Sequence, residues 1–328
     1  MNRIKIVHPG LLTTVQDIGR YGYQSYGVPV SGVMDRPSMY LANYLVGNQM
    51  TEAVLEFTLM GPGMEFLSDT LVGITGANFK IYLNDEEVSI NETIEVKKMD
   101  ILSIRSPSKG SRGYIAFAGG INVPEVMGSK STYLKGGYGG YKGRKIKEGD
   151  LIEIGKKPSS YLFRKVSDEF LNSRLDADII HCISGPDFDK FTKNSFDVFY
   201  NSEYTVSSQC DRMGFRLEGE TIEHADNADI ISSPVQFGSI QVPGNGKPIV
   251  LMADRQTTGG YSRFGCVAST DLGILSQKKP GDKFKFKEIT IDHAQRNLNI
   301  YCDKIGRLFE NTQTKRWVRN FANWLKWK

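Results

Sequence analysis

Apolar and polar positions alternate along most of this chain in short runs, and that period of two predicts strands. Residues 1–8 alternate basic and apolar side chains and read as a strand rather than a signal peptide. Three later segments share one pattern, an Asp followed by alternation: Asp100 before 101–104, Asp150 before 151–154 and Asp282 before 283–286. Each predicts a turn that delivers a half-buried strand. A continuous apolar run at 248–253 predicts another strand. Helices are few. The spacing predicts one over 36–46, with Asp35 as its cap, Pro37 in its first turn, Gly47 at its end, and Leu41, Tyr44, Leu45 and Asn48 on one side. A second short helix follows Gly185-Pro186-Asp187. A last, basic helix holds Trp317, Phe321, Trp324 and Leu325 on one face and Trp327 beyond. That face packs on its own domain, docks another protein chain or lies on a membrane surface.

A loose echo joins the two halves. Residues 120–124, 136–138 and 149–150 parallel 238–243, 259–261 and 281–282, although the spacings differ. The expected organisation is therefore mainly β with few helices: a lobe over 1–155, a linker over 156–178, a second lobe over 179–290 and a helical basic tail over 291–328.

The chain has 328 residues, 40% of them hydrophobic and 24% charged, which suits about two globular domains. No apolar run approaches the ~18 residues of a membrane span. Net charge is +4, but the basic residues Lys315, Arg316, Arg319, Lys326 and Lys328 fall in the tail, and residues 1–310 are nearly neutral. Nucleic acid is disfavoured as a partner, because phosphate binding needs a cationic patch. Cys182, Cys210, Cys266 and Cys302 are widely spaced and include no C-x-x-C, so neither a metal site nor a disulfide framework is expected. A reduced, cytoplasmic chain is the expectation.

Four segments concentrate glycine, charge and polar side chains: 13–20, 27–35, 210–217 and 254–261. The last follows the 248–253 strand, where loops carry function. Its Gly259 and Gly260 allow close approach of a backbone, and Gln256, Thr257 and Thr258 supply neutral donors and acceptors. Consecutive N–H groups in such a turn make a nest for an oxyanion. The alternative is an ordinary Gly-Gly turn. Gln16 and Asp17 with Arg20 suit a carboxylate or phosphate, unless Asp17 only pairs with Arg20. Arg212 either clamps an anionic substrate or bridges Asp211 or a neighbour.

Other motifs fail. Residues 128–132 (Gly-Ser-Lys-Ser-Thr) lack the order of a phosphate loop, and the Gly-Tyr-rich stretch 136–143 lacks a strand-to-helix context. There is no nucleophile elbow, and His8, His181, His224 and His293 are isolated.

Six ordered motifs, at 13–20, 27–35, 42–48, 211–217, 238–243 and 254–261, together resemble the allophanate hydrolase subunit 2 family. That family is also called the biotin-dependent carboxyltransferase or Kip-type family, and it includes the C-type component of 5-oxoprolinase. The resemblance spans residues 3–290. One departure is Cys210, where a small hydroxyl residue is the family expectation.

The resemblance implies two cyclophilin-like β-barrel lobes with a cleft between them. It implies an enzyme component, the C-type member of an ATP-dependent 5-oxoprolinase, that makes glutamate from 5-oxoproline with A-type and B-type subunits. A second reading is a carboxyltransferase component acting on a urea-like or lactam substrate. Its biotin would come on a separate carrier, since the chain has no Met-Lys-Met site. A third is a non-catalytic antagonist of a kinase inhibitor. Both enzymatic readings build negative charge on an amide-like oxygen, which preorganised neutral donors stabilise. The expected catalytic set is Asp254, Gln256, Thr257, Thr258, Arg212 and Asp17, with Asp254 or Asp17 as base or orienter. The expected substrate contacts are Gln16, Arg20, Ser31, Gly32, Asp211, Met213, Gln241, Gly259, Gly260 and Tyr261. No metal is expected.

Overall fold

The first strand, Asn2–His8, buries Ile4 and Ile6 and turns Lys5 and Val7 outward, as its alternation predicts. It lies between Leu151–Ile154 and Gly63–Phe66, antiparallel to both. In the computed structural model, which describes residues 2–308, these strands belong to a six-stranded sheet continued by Ile101–Ile104, Ile81–Leu83 and Glu86–Val88. A second sheet runs in the order Leu12–Gln16, Val54–Thr58, Arg112–Phe117, Thr70–Gly76, Thr93–Val96. One apolar core, including Ile6, Phe57, Phe66 and Phe117, fills the space between the sheets.

Thr70–Gly76 and Arg112–Phe117 are buried along their whole length because the second sheet is covered on both faces. The outer cover is the helix Arg36–Val46. Its ends are those the sequence marks: the Asp35 carboxylate accepts from the Ser38 N–H, and Gly47 closes the helix with φ 76°. The expected single apolar side is too narrow. Eight of its eleven residues are buried, Ser38 and Asn43 among them, since a sheet and other elements enclose it.

The second lobe is a closed barrel of seven strands: Ile179–Ser184, Arg263–Val267, Ser239–Gln241, Ile249–Leu251, Gly214–Glu218, Glu203–Cys210 and Lys283–Glu288. The last strand pairs in parallel with the first and so removes both edges. Lys283–Glu288 points Phe284 and Phe286 inward and its lysines outward. Where one short helix is expected after Asp187, the chain forms two elements, a 3-10 turn, Phe188–Lys190, and an α-helix, Lys193–Asn201. Phe199 of that helix meets Phe264 at 4.3 Å and Phe286 at 4.6 Å between ring centroids.

The segment 156–178, expected as a linker, packs on the first lobe. Its Arg164 and Val166 bond to Thr93 and Asn91, and its helix Asp168–Asp176 sends Arg174 to Asp35. The sequence echo does not mark equivalent elements. Ser239–Gln241 and Thr258–Tyr261 are strands, whereas 120–124 and 136–138 are turns and isolated bridges. The helix Ile291–Leu308 returns to the first lobe, where Ile305 is buried and Tyr301 lies 6.2 Å from Phe170. The tryptophan-bearing face at 317–325 and Trp327 lie outside the described residues. Among the described residues no helix is long and apolar enough to cross a membrane.

Phe264 joins four rings at the barrel centre. Phe264→Ala is expected to destabilise the protein by about 3–5 kcal/mol, measured as a lower urea midpoint with an unchanged slope.

Candidate functional site

Arg212 stands between the barrel strands Glu203–Cys210 and Gly214–Glu218, yet its side chain crosses to the first lobe. There it meets Glu56, from the centre of Val54–Thr58. Its Nε and Nη2 donate to the two oxygens of Asp254 at 2.9 and 3.0 Å, and Nη2 also donates to the Gly32 carbonyl at 2.6 Å. The other Glu56 oxygen accepts from the Met34 N–H at 2.7 Å. Arg212 is 5% exposed and Asp254 4%. Burial works against the Arg212 charge, but Asp254 and Glu56 outweigh it and hold its pKa well above the usual value. Arg212 and Asp254 thus form an internal bidentate pair. Asp211 is not Arg212's partner: its exposed carboxylate accepts from the N–H groups of Met213 and Gly214.

Asp17 is a second hub. Its carboxylate accepts from the Gly19 N–H at 2.8 Å, the Lys130 N–H at 2.6 Å, the Ser129 hydroxyl at 2.7 Å and the Ser131 hydroxyl. It does not pair with Arg20. Arg20 is wholly buried, donates to the carbonyls of Val126 and Ser131, and lies 4.9 Å from the Tyr138 ring centroid. Burial lowers its pKa. Gln16 donates to the Thr14 hydroxyl and the Thr132 carbonyl. The segment from Gln16 to Arg20 therefore holds the loop 126–132 in place. Ser31 and Gly32 run beside it, with Ser31 at φ 56° and Gly32 at φ 88°. A Cβ on Gly32 would stand 2.9 Å from the Gly19 backbone, so glycine is required for this close approach.

The segment 254–261 departs from the expected turn. Thr258–Tyr261 is a strand, paired antiparallel with Asp229–Pro234. Gly259 and Gly260 are extended and do not curl into a nest for an oxyanion. A Cβ on Gly259 would meet the Gln241 amide at 2.5 Å, so a larger residue there would displace that side chain. Gln241 is buried and donates to the Tyr261 carbonyl at 3.0 Å. Thr257 holds the neighbouring segment instead, its carbonyl accepting from the Val235 N–H at 3.1 Å.

Five of the expected residues do converge. Asp211, Met213, Gln241, Gln256 and Tyr261 line a cavity of about 520 Å3 on the second lobe, with Gln209, Cys210 and Arg216 also in its wall. That size suits a small-molecule site. Burial, opposed by Arg112, raises the Cys210 pKa and keeps it a thiol. The cavity offers amides, a phenol and a guanidinium, a donor set for charge developing on an oxygen. Gln16, Asp17, Arg20, Ser31, Gly32, Arg212, Asp254, Thr257, Thr258, Gly259 and Gly260 are not in its wall.

A family model for the carboxyltransferase domain, subdomains A and B, matches residues 26–288. The chain belongs to this carboxyltransferase domain family. It is 39% identical over 292 residues to the 5-oxoprolinase C-type subunit of Escherichia coli (strain K12), covering 89% of this chain and 93% of that protein. It is 32% identical over 306 residues to the corresponding 5-oxoprolinase protein of Haemophilus influenzae, covering 90% and 96%. The crystal structure of the Kluyveromyces lactis urea carboxylase superposes with a TM-score of 0.87 at 32% identity, over 93% of this chain. This carboxyltransferase-family chain spans 29% of that much longer one.

Sequence reasoning missed Glu56. Its signal was a single carboxylate inside the apolar run Val54-Leu55-Glu56-Phe57, a position that demands a buried partner. Arg212→Ala leaves Glu56 and Asp254 buried without their cation. It is expected to cost about 3–5 kcal/mol, whereas Gln256→Ala, at an exposed side chain, stays within about 0.5 kcal/mol. Denaturant unfolding of both variants checks the contrast.

Proposed function

We propose that this chain is the C-type component of an ATP-dependent 5-oxoprolinase, acting with A-type and B-type subunits to convert 5-oxoproline to glutamate. The observation that supports this most is the match to two 5-oxoprolinase proteins of that type over more than nine-tenths of their length. The cavity chemistry agrees with it. Opening a lactam places negative charge on its oxygen, and the Gln256 amide, the Tyr261 hydroxyl and Arg216 are donors in one cavity wall. Gln241 orients the strand that carries Tyr261 through its 3.0 Å bond to the Tyr261 carbonyl.

ATP would supply the phosphoryl group that activates the lactam oxygen. Residues 128–132 do not fit its phosphates. The Lys130 ammonium is paired with Glu52 at 2.7 Å, and its N–H is held by Asp17. No step is assigned to nucleotide at that segment.

The superposition on urea carboxylase favours one second reading, carboxyl transfer to a urea-like or lactam acceptor. There the same donors face the ureido oxygen of biotin brought by a separate carrier. The kinase-inhibitor reading has no such support.

The decisive measurement is glutamate formation from 5-oxoproline and ATP by purified A-type and B-type subunits, with and without this chain. Strict dependence on the chain is expected, and Gln256→Ala should lower the rate at least tenfold while the protein stays folded. Equal rates with and without the chain, using folded partners, would overturn the reading in favour of carboxyl transfer.

A further inference from the structure

A second cavity, of about 630 Å3, opens at the seam between the lobes. The start of the helix Arg36–Val46 forms one side of it, residues 235–237 and Arg255 of the second lobe another, and Tyr301 and Ile305 of the terminal helix a third. Two arginines, Arg36 and Arg255, reach it from different lobes, and its described lining includes no Asp or Glu.

Neither guanidinium has a carboxylate partner among the described residues. Arg36 donates to the Tyr21 hydroxyl and sits 5.8 Å from the centroid of that ring. Arg255 makes two long contacts, 3.4 Å to the Val235 carbonyl and 3.5 Å to the Met252 carbonyl, and lies 5.9 Å from the centroid of the Phe237 ring. Asp254, next to Arg255 in sequence, has both oxygens committed to Arg212. Burial lowers the Arg255 pKa to about 10, and the charge of Arg36 pushes the same way.

Buried charges in proteins are ordinarily paired, because an unpaired one keeps its full desolvation cost. Arg36 and Arg255 are half-buried, and two such cations facing one cavity without a carboxylate call for an anion. Guanidinium groups fork onto planar oxyanions. Phe237 and Tyr301 add flat, largely apolar wall beside the charges. We propose that this cavity binds the carboxylate or phosphate of a small molecule between Arg36 and Arg255, with the molecule's body against Phe237 and Tyr301. This site is separate from the donor cavity of the second lobe and does not rest on the oxoprolinase reading.

Isothermal titration calorimetry of the full chain tests it with three probes taken singly: 5-oxoproline, ATP and inorganic phosphate. At least one should bind at millimolar concentration or tighter. The affinity should fall at least tenfold in Arg255→Gln and in Arg36→Gln, and should weaken as salt rises. Binding of 5-oxoproline alone identifies a carboxylate site, and binding of ATP or phosphate identifies a phosphate site. Circular dichroism checks each variant. Should Arg255→Gln misfold, Arg36→Gln decides, because the bond Arg36 gives up is one to the Tyr21 hydroxyl and not a buried ion pair. Failure of all three probes to bind, or binding unchanged in a folded variant, overturns the proposal. The readout is binding, so it succeeds or fails independently of glutamate formation.

Discussion

The lobes meet through a buried charge that neither could hold alone. Arg212 belongs to the barrel, Glu56 to the first lobe, and the guanidinium needs both Glu56 and Asp254 to be stable in the interior. That requirement fixes the lobes' relative position far more tightly than apolar contact would, since a fork-shaped donor tolerates little displacement. It also places the Gly32 carbonyl and the segment that follows Asp254. A neighbouring polar network works the same way. Asp35 accepts from Arg174 at 2.7 Å and from Gln277 at 3.0 Å, and Gln277 also accepts from the N–H groups of Ser111 and Arg112. The seam is thus joined by specified hydrogen bonds, which favour one arrangement over many similar ones.

Local signals were legible in the sequence and distant ones were not. The helix Arg36–Val46 carries its cap, its first-turn proline and its terminal glycine within a dozen residues, so both ends could be read. The strands after Asp100, Asp150 and Asp282 follow the same logic. Asp17 shows the limit. Its motif suggests a base or an ion pair, but its partners Ser129 and Ser131 lie more than a hundred residues away. Gly259-Gly260 shows another. The pair reads as a turn, and only Asp229–Pro234 on the other side of the ladder makes it a strand. Of the candidate site, the second-lobe members Gln241, Gln256 and Tyr261 share a cavity, whereas the first-lobe members Asp17 and Arg20, with equally conspicuous motifs, spend their hydrogen bonds inside the protein.

A polar motif in this fold therefore has two possible duties, and burial separates them. Gln256 and Tyr261 reach a cavity and are open to solvent. Asp17, Arg212 and Asp254 have their hydrogen-bonding capacity consumed inside the protein. Gln256 lies in a loop and Tyr261 on the short ladder with Asp229–Pro234, both beside the barrel, and neutral donors of this kind suit chemistry in which charge appears on an oxygen.

In each lobe the first and last strands are neighbours, but with opposite sense. Asn2–His8 lies antiparallel to Leu151–Ile154, with Asn2 opposite Ile154. Ile179–Ser184 lies parallel to Lys283–Glu288, with Ile179 opposite Lys285. Tension applied through the flanking chain would peel the first pair open one hydrogen bond at a time. The same tension would load the second pair in shear, with all its bonds sharing the force. The barrel is thus the mechanically tougher half, and a pull along the chain would open the first lobe while the cavity in the second kept its shape.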